Sequence, residues 1–166
     1  LTLEDPIEFV HPSKKAQIIH REVGTHVNSF SDGLRAALRE DPDVILVGEM
    51  RDEETISLAM EAAETGHLVL GTMHTTTAVK TIDRVIDALP SEKREQAKLF
   101  LSTSLKGVIS QVLCKTATGR GRQAALEIMI PNRAISKLIL EDKVHMIGSQ
   151  LQTGKAHGMQ LMDQHL

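Results

Sequence analysis

Tryptophan and tyrosine are absent from these 166 residues, and phenylalanine occurs three times. A core must therefore be assembled from Leu, Ile, Val, Met and Ala, and the aromatic platforms on which single-stranded nucleic acid stacks are missing. A single cysteine, Cys114, excludes an intrachain disulfide and any zinc site built on cysteine pairs. It fits a reducing, cytosolic setting. No apolar run approaches the roughly 20 residues that span a bilayer, and no signal-peptide pattern is present, so the expectation is no direct membrane insertion. Positive charge is not in excess either: the formal net charge is −3, which argues against a nucleic-acid partner. The phosphate-cradling pattern G-x-x-x-x-G-K-[ST] occurs nowhere in the chain.

What is present centres on Asp41 to Thr77. Val44–Val47 is a short β-branched run suited to a strand buried on both faces of a parallel sheet. Asp52 stands where an N-cap belongs. The apolar face Ile56, Leu58, Ala59, Met60, Ala62 and Ala63 then predicts a helix ending at Gly66, a C′ residue. A second run, Leu68–Leu70, leads to Thr72-Met73-His74-Thr75. Strand, helix, strand implies a right-handed crossover between parallel strands, with Glu49 and His74 delivered to the carboxyl edge of one sheet, where open α/β sheets bind ligands.

The flanking stretches fit the same architecture. Leu1-Thr2-Leu3 reads as the end of a strand running into the crowded carboxylates Glu4, Asp5 and Glu8, which form either a solvated acidic turn or a site that needs a cation nearby. Gln17–Val23 reads as a short strand, and Ser31-Asp32 as the cap of a helix stopped by Asp41-Pro42. Thr75–Thr77 offers caps for a helix ending at Pro90. A helix opened by Ser91 runs through Leu105 towards Val112, with Gly107 against its continuity. Lys115–Gln123 is a polar, glycine-punctuated turn, Ala124–Ile130 a strand, Asn132 a cap, and Val144–Leu166 a set of short helices broken at Gly154 and Gly158.

Glu49 is either an ordinary strand-end charge or the water-activating carboxylate of a nucleotide hydrolase. A lone His74 is more often a satisfied, partly buried histidine, and His67 reads as structural. His11, His20, His26, His145, His157 and His165 show no ligand spacing and read as surface groups. Arg35, Arg39 and Arg51 are either solvated charges or groups that neutralise phosphate. Acidic turns, a strand-end histidine and clustered arginines together point to phosphoryl chemistry with a divalent metal.

These residues also carry a resemblance. EDPIEF at Glu4–Phe9 resembles the Asp box of the secretion-type ATPases, the hexameric motors of type II secretion and type IV pili. DPDVILVGEMRD resembles their Walker B segment, with Gly48-Glu49 in place of Asp-Glu, and TGHLVLGTMHT resembles their His box. REV at Arg21–Val23 and LRAALREDPD agree as well, so the similarity extends over almost the whole chain. Without a cysteine-rich zinc insertion the chain is most similar to the pilus-retraction branch. Pro131–Glu141 is similar to that branch's AIRNLIRE motif and departs from it at Ser136, Lys137 and Leu140.

The resemblance implies a RecA-like P-loop ATPase core over residues 1–131 that lacks its first βα unit, followed by a small helical portion over 132–166. It implies Glu8, Glu49 and His74 as catalytic groups, Glu4, Asp5, Arg39 and Arg51 as nucleotide contacts, and Glu49 as the contact to metal. ATP and Mg²⁺ are the expected cofactors. The expected setting is a homo-hexamer at the cytoplasmic face of the inner membrane, held there by a pilus platform protein. In that family the P-loop lies just upstream of the strand ending at Leu3, so the chain reads as the C-terminal part of a motor subunit. The alternatives are a non-catalytic α/β interaction module that keeps the acidic and His motifs for subunit packing, or a related secretion or assembly ATPase.

Overall fold

A computed structural model describes residues 1–164. The chain divides into two compact units, Leu1–Met73 and His74–Leu166. The expected strand, helix, strand unit is met in the first, where β1 (Thr2–Glu4), β2 (His20–Glu22), β3 (Val44–Val47) and β4 (Leu68–Gly71) form an all-parallel sheet in the order β2-β1-β3-β4.

Two helices, α1 (Phe30–Ala37) and α2 (Glu53–Glu64), connect these strands. Leu3, Ile45 and Val47 from the sheet pack with Leu34 and Ala37 of α1 and Ala59 and Ala62 of α2 in one core. Asp52 caps α2 by accepting from the Thr55 amide, and Gly66 follows its last turn at φ +106°, a conformation that an L side chain resists. The cap of α1 is Ser29, not Ser31-Asp32. Ser29 is extended and accepts from the Asp32 amide at 3.0 Å, whereas Ser31 and Asp32 are already helical. Nor is β3 buried on both faces: Ile45 and Val47 are fully buried, but Val44 is 39% exposed. Leu68 and Leu70 of β4 are also exposed, because the core of this unit gathers on the face that α1 and α2 cover.

The second unit contains α3 (Ala78–Asp87), α4 (Ser91–Ser104), the antiparallel hairpin β5 (Val108–Lys115) and β6 (Arg122–Met129), α5 (Arg133–Leu140) and α6 (Ile147–Thr153). Short 3₁₀ turns cover Val144–Met146, Gly154–His157 and Met162–Gln164. Thr77 and Asn132 cap α3 and α5 as their sequence positions imply. The expected continuation of α4 towards Val112 is overturned: Leu105 is already extended, and the β-branched segment from Val108 pairs in register with residues 122–129. The strand preference of this β-branched run is realised by hairpin pairing with the strand that follows it. No helix among the described residues is long and apolar enough to cross a membrane.

Candidate functional site

β1 ends at Glu4, and the chain turns through a cis Asp5–Pro6 bond into an exposed loop. That loop is tied down from β2. Thr2 and His20 are register partners on neighbouring strands. Thr2 Oγ1 donates to Glu4 Oε1 at 2.6 Å and lies 2.9 Å from His20 Nδ1. Glu4 also accepts from the Glu8 amide at 3.4 Å, and Glu22 accepts from the Ile7 amide at 3.1 Å. Burial works against the charge on Glu4, but the bonds from Thr2, His20 and Glu8 outweigh it and hold the carboxyl below its ordinary value. His20 Nε2 meanwhile accepts from the His11 amide at 3.1 Å. His20 is therefore a half-buried tie between β2 and the acidic loop, which corrects its reading as a surface group.

β3 delivers the second acidic turn next door. The Gly48 amide donates to Leu3 O at 2.7 Å, so the backbones of β1 and β3 stay together to their carboxyl ends. A Cβ at Gly48 would lie 2.8 Å from Leu3 O, which explains physically why the residue before Glu49 carries no side chain. Thr72, just past β4, donates to Gly48 O, and its own carbonyl accepts from the Met50 amide at 3.0 Å. Glu49 is held between these strand ends and forms an ion pair with Arg51. The hydrogen bond and charge of Glu49 raise the Arg51 guanidinium above its ordinary value, and the charge of Asp5 adds to the effect. The charges of Asp5 and Glu49 therefore both act on this arginine, and Glu49 is its ion-pair partner.

The third motif opens the second unit. His74 is exposed at the start of a turn that ends where Thr77 caps α3. Thr81 Oγ1 donates to Thr77 O at 2.9 Å and pairs with Thr75 Oγ1 at 2.7 Å.

The first unit thus gathers Glu4, Asp5, Glu8, Glu49 and Arg51 at the carboxyl edge of β1 and β3. Arg39 is not brought there: it is exposed in the turn leading into the amino end of β3. Arg35 is engaged with Glu54 and Asp32 on the helices. His67 Nδ1 lies 2.9 Å from Ala62 O at the end of α2, a structural place as expected. His165 lies outside the described residues. Two groups escaped the sequence reading, His20 and Glu127. Glu127 could have been found by parity, since Ala125, Glu127 and Met129 alternate along β6 and all three are buried.

Comparison with known proteins places the chain in a family. Residues 1–162 match the family described as "Type II/IV secretion system protein". The whole chain is 60% identical to a "Twitching motility protein" of Neisseria gonorrhoeae and covers 44% of it. Over 98% of its length it is 60% identical to the "Type IV pilus retractation ATPase PilT" of Pseudomonas aeruginosa, covering 47% of that protein. Among solved structures, the pilus retraction motor PilT with bound ADP superposes with a TM-score of 0.90 at 52% identity, covering 99% of this chain and 46% of that one. The Legionella pneumophila ATPase DotB gives 0.80 at 34% identity, covering 97% and 44%. The chain spans about half the length of the curated relatives it matches. Its mixed α/β fold with a parallel sheet is that of a partial RecA-like ATPase core.

Proposed function

The chain belongs to the type II/IV secretion system protein family, and from that premise we propose that it forms part of an ATP-hydrolysing motor that powers type IV pilus retraction. The observation that carries the proposal is the shared edge: two acidic turns leave the adjacent parallel strands β1 and β3, and Glu49 at the end of β3 is paired with Arg51. In this reading Glu49 orients a water and takes its proton as the water oxygen attacks the γ-phosphorus, with ADP as the leaving group. Glu8 assists it, and Glu4 and Asp5 shape the loop against the nucleotide. Arg51 exchanges its carboxylate partner for phosphate oxygens as negative charge develops there. His74 donates to a γ-phosphate oxygen, a contact that ADP cannot make. Arg39, away from this edge, would reach only a nucleotide held by a neighbouring subunit.

Mg²⁺ arriving with the phosphates would supply further charge neutralisation. Glu49 is the residue to hold it, through water, because Gly48 offers no side chain and no cluster of three His, Cys, Asp or Glu disposed to hold a metal exists among the described residues. In the working assembly we place the chain in a homo-hexamer in the cytoplasm, bound to the inner membrane through a platform protein. Residues 1–131 would serve as the ATPase part and the helices from Asn132 as a separate functional portion. Glu49→Gln in a motor subunit that also carries a P-loop tests the core of the proposal. It keeps the shape but removes the base, so turnover should fall about a hundredfold or more while nucleotide still binds. Unchanged hydrolysis would sink the assignment.

A further inference from the structure

Glu127 is 5% exposed in the middle of β6, and its Oε1 accepts from the Ala78 amide at 2.7 Å, across 49 residues of sequence. Ala78 is the first residue of α3 and is fully buried, so its N–H has no access to water. A carboxylate there satisfies one of the orphan donors of the helix start and sits against the positive end of the helix dipole. The neighbouring local cap is the weaker one: Thr77 Oγ1 accepts from the Lys80 amide at 3.3 Å. Two further ties of the turn, Thr75 to Thr81 and Thr81 to Thr77, stay within the turn and its own helix. Glu127, by contrast, fixes the start of α3 to a different element, the hairpin. It faces Ser110 across the β5–β6 register, a residue that is also buried and whose hydroxyl has no hydrogen-bond partner.

We propose that Glu127 is a positioning residue of the His74–Thr77 turn, pinning the start of α3 to the hairpin and thereby helping to present the His74 imidazole in one place. His74 stands four positions before the pinned amide, and the catalytic consequence rests on the role given to His74 above. Without the Glu127 acceptor, the Ala78 N–H becomes a buried orphan donor unless the helix start shifts, and the turn shifts with it. Glu127 touches no reacting atom in this scheme and acts through the turn.

The test compares Glu127→Met, which removes the acceptor at similar length, with Glu127→Gln, which keeps a carbonyl oxygen at the same place. Amide hydrogen exchange on the 166-residue chain should show the Ala78 and Val79 amides exchanging about tenfold faster or more in the Met variant, with β5–β6 amides unchanged and the Gln variant close to the parent. In a P-loop-bearing motor subunit, the Met variant should lower kcat about tenfold with KM for ATP unchanged, and Gln should restore most of the loss. Unaltered exchange at Ala78 in Glu127→Met overturns the tether. So does acceleration spread evenly over the whole unit, which marks a general packing role. The exchange arm reads the tether whether or not the parent hydrolyses ATP, so loss of the motor reading and loss of this one are told apart.

Discussion

Gly48→Ala puts the arrangement of the acidic edge under a measurable load. A methyl group at position 48 would lie 2.8 Å from Leu3 O and 3.2 Å from Glu4 Cα, where ordinary contact begins at 3.4 Å. The obstacle is backbone, so β1 and β3 must separate by about 3.4 − 2.8 = 0.6 Å. The Gly48 N–H to Leu3 O bond then stretches from 2.7 Å to about 3.3 Å, beyond the usual range. Weakening that bond costs about 1 kcal/mol, and forcing apart a packed pair of strands costs about 1–3 kcal/mol. The smaller entropy of the unfolded alanine chain returns about 0.5–1 kcal/mol, because the φ of Gly48 is one that alanine adopts. The net loss is about 1–3.5 kcal/mol, or a fall in Tm of roughly 2–14 °C for a chain of this length. Calorimetry or far-UV circular dichroism is the assay, since the chain has no Trp or Tyr to report by fluorescence. Gly71→Ala is the control. The nearest atoms to its Cβ would belong to the Met50 side chain, Cε at 2.5 Å and Sδ at 2.7 Å, and a flexible side chain yields more cheaply than backbone, so the loss should stay below about 1 kcal/mol. A Gly48→Ala protein as stable as the parent, or one less affected than Gly71→Ala, would refute the close approach of the two strands.

Two further expectations concern the acidic edge. The Glu4 carboxyl is held below its ordinary value of 4.5, so its contribution to stability is complete above that value and is lost as pH falls through the depressed one. Glu4→Gln should flatten the stability profile below about pH 4.5, and an unchanged acid slope would show that Thr2, His20 and the Glu8 amide do not favour the charged form. The 166-residue chain itself should not bind Mg-ATP, because its acidic edge repels the phosphates and no P-loop amides offset that. Micromolar binding by isothermal titration would show that the account of the site is wrong.

Some of this protein was decided by residues a few positions apart. Asp52, Thr77 and Asn132 were legible as caps because a cap bonds an amide only three residues ahead, and Gly66 because one residue's φ ends the helix. The acidic and His motifs were legible for a similar reason: each is a short turn behind an apolar strand, and parallel connection carries the turns after β1 and β3 to one edge. Tertiary structure alone decided the rest. Val108–Lys115 became a strand because residues 122–129 offered it eight register partners, which no local propensity at Gly107 could announce. His20 left the surface because β2 lies beside β1 and sets it against Thr2 and Glu4. Glu127 found the Ala78 amide across 49 residues, and Arg51 paired with Glu49 comes under the charge of Asp5 because two turns distant in sequence leave adjacent strands. Hydrogen bonds and charges act over a few ångströms of space whatever the chain distance, so pairings of this kind exist only once the chain has folded.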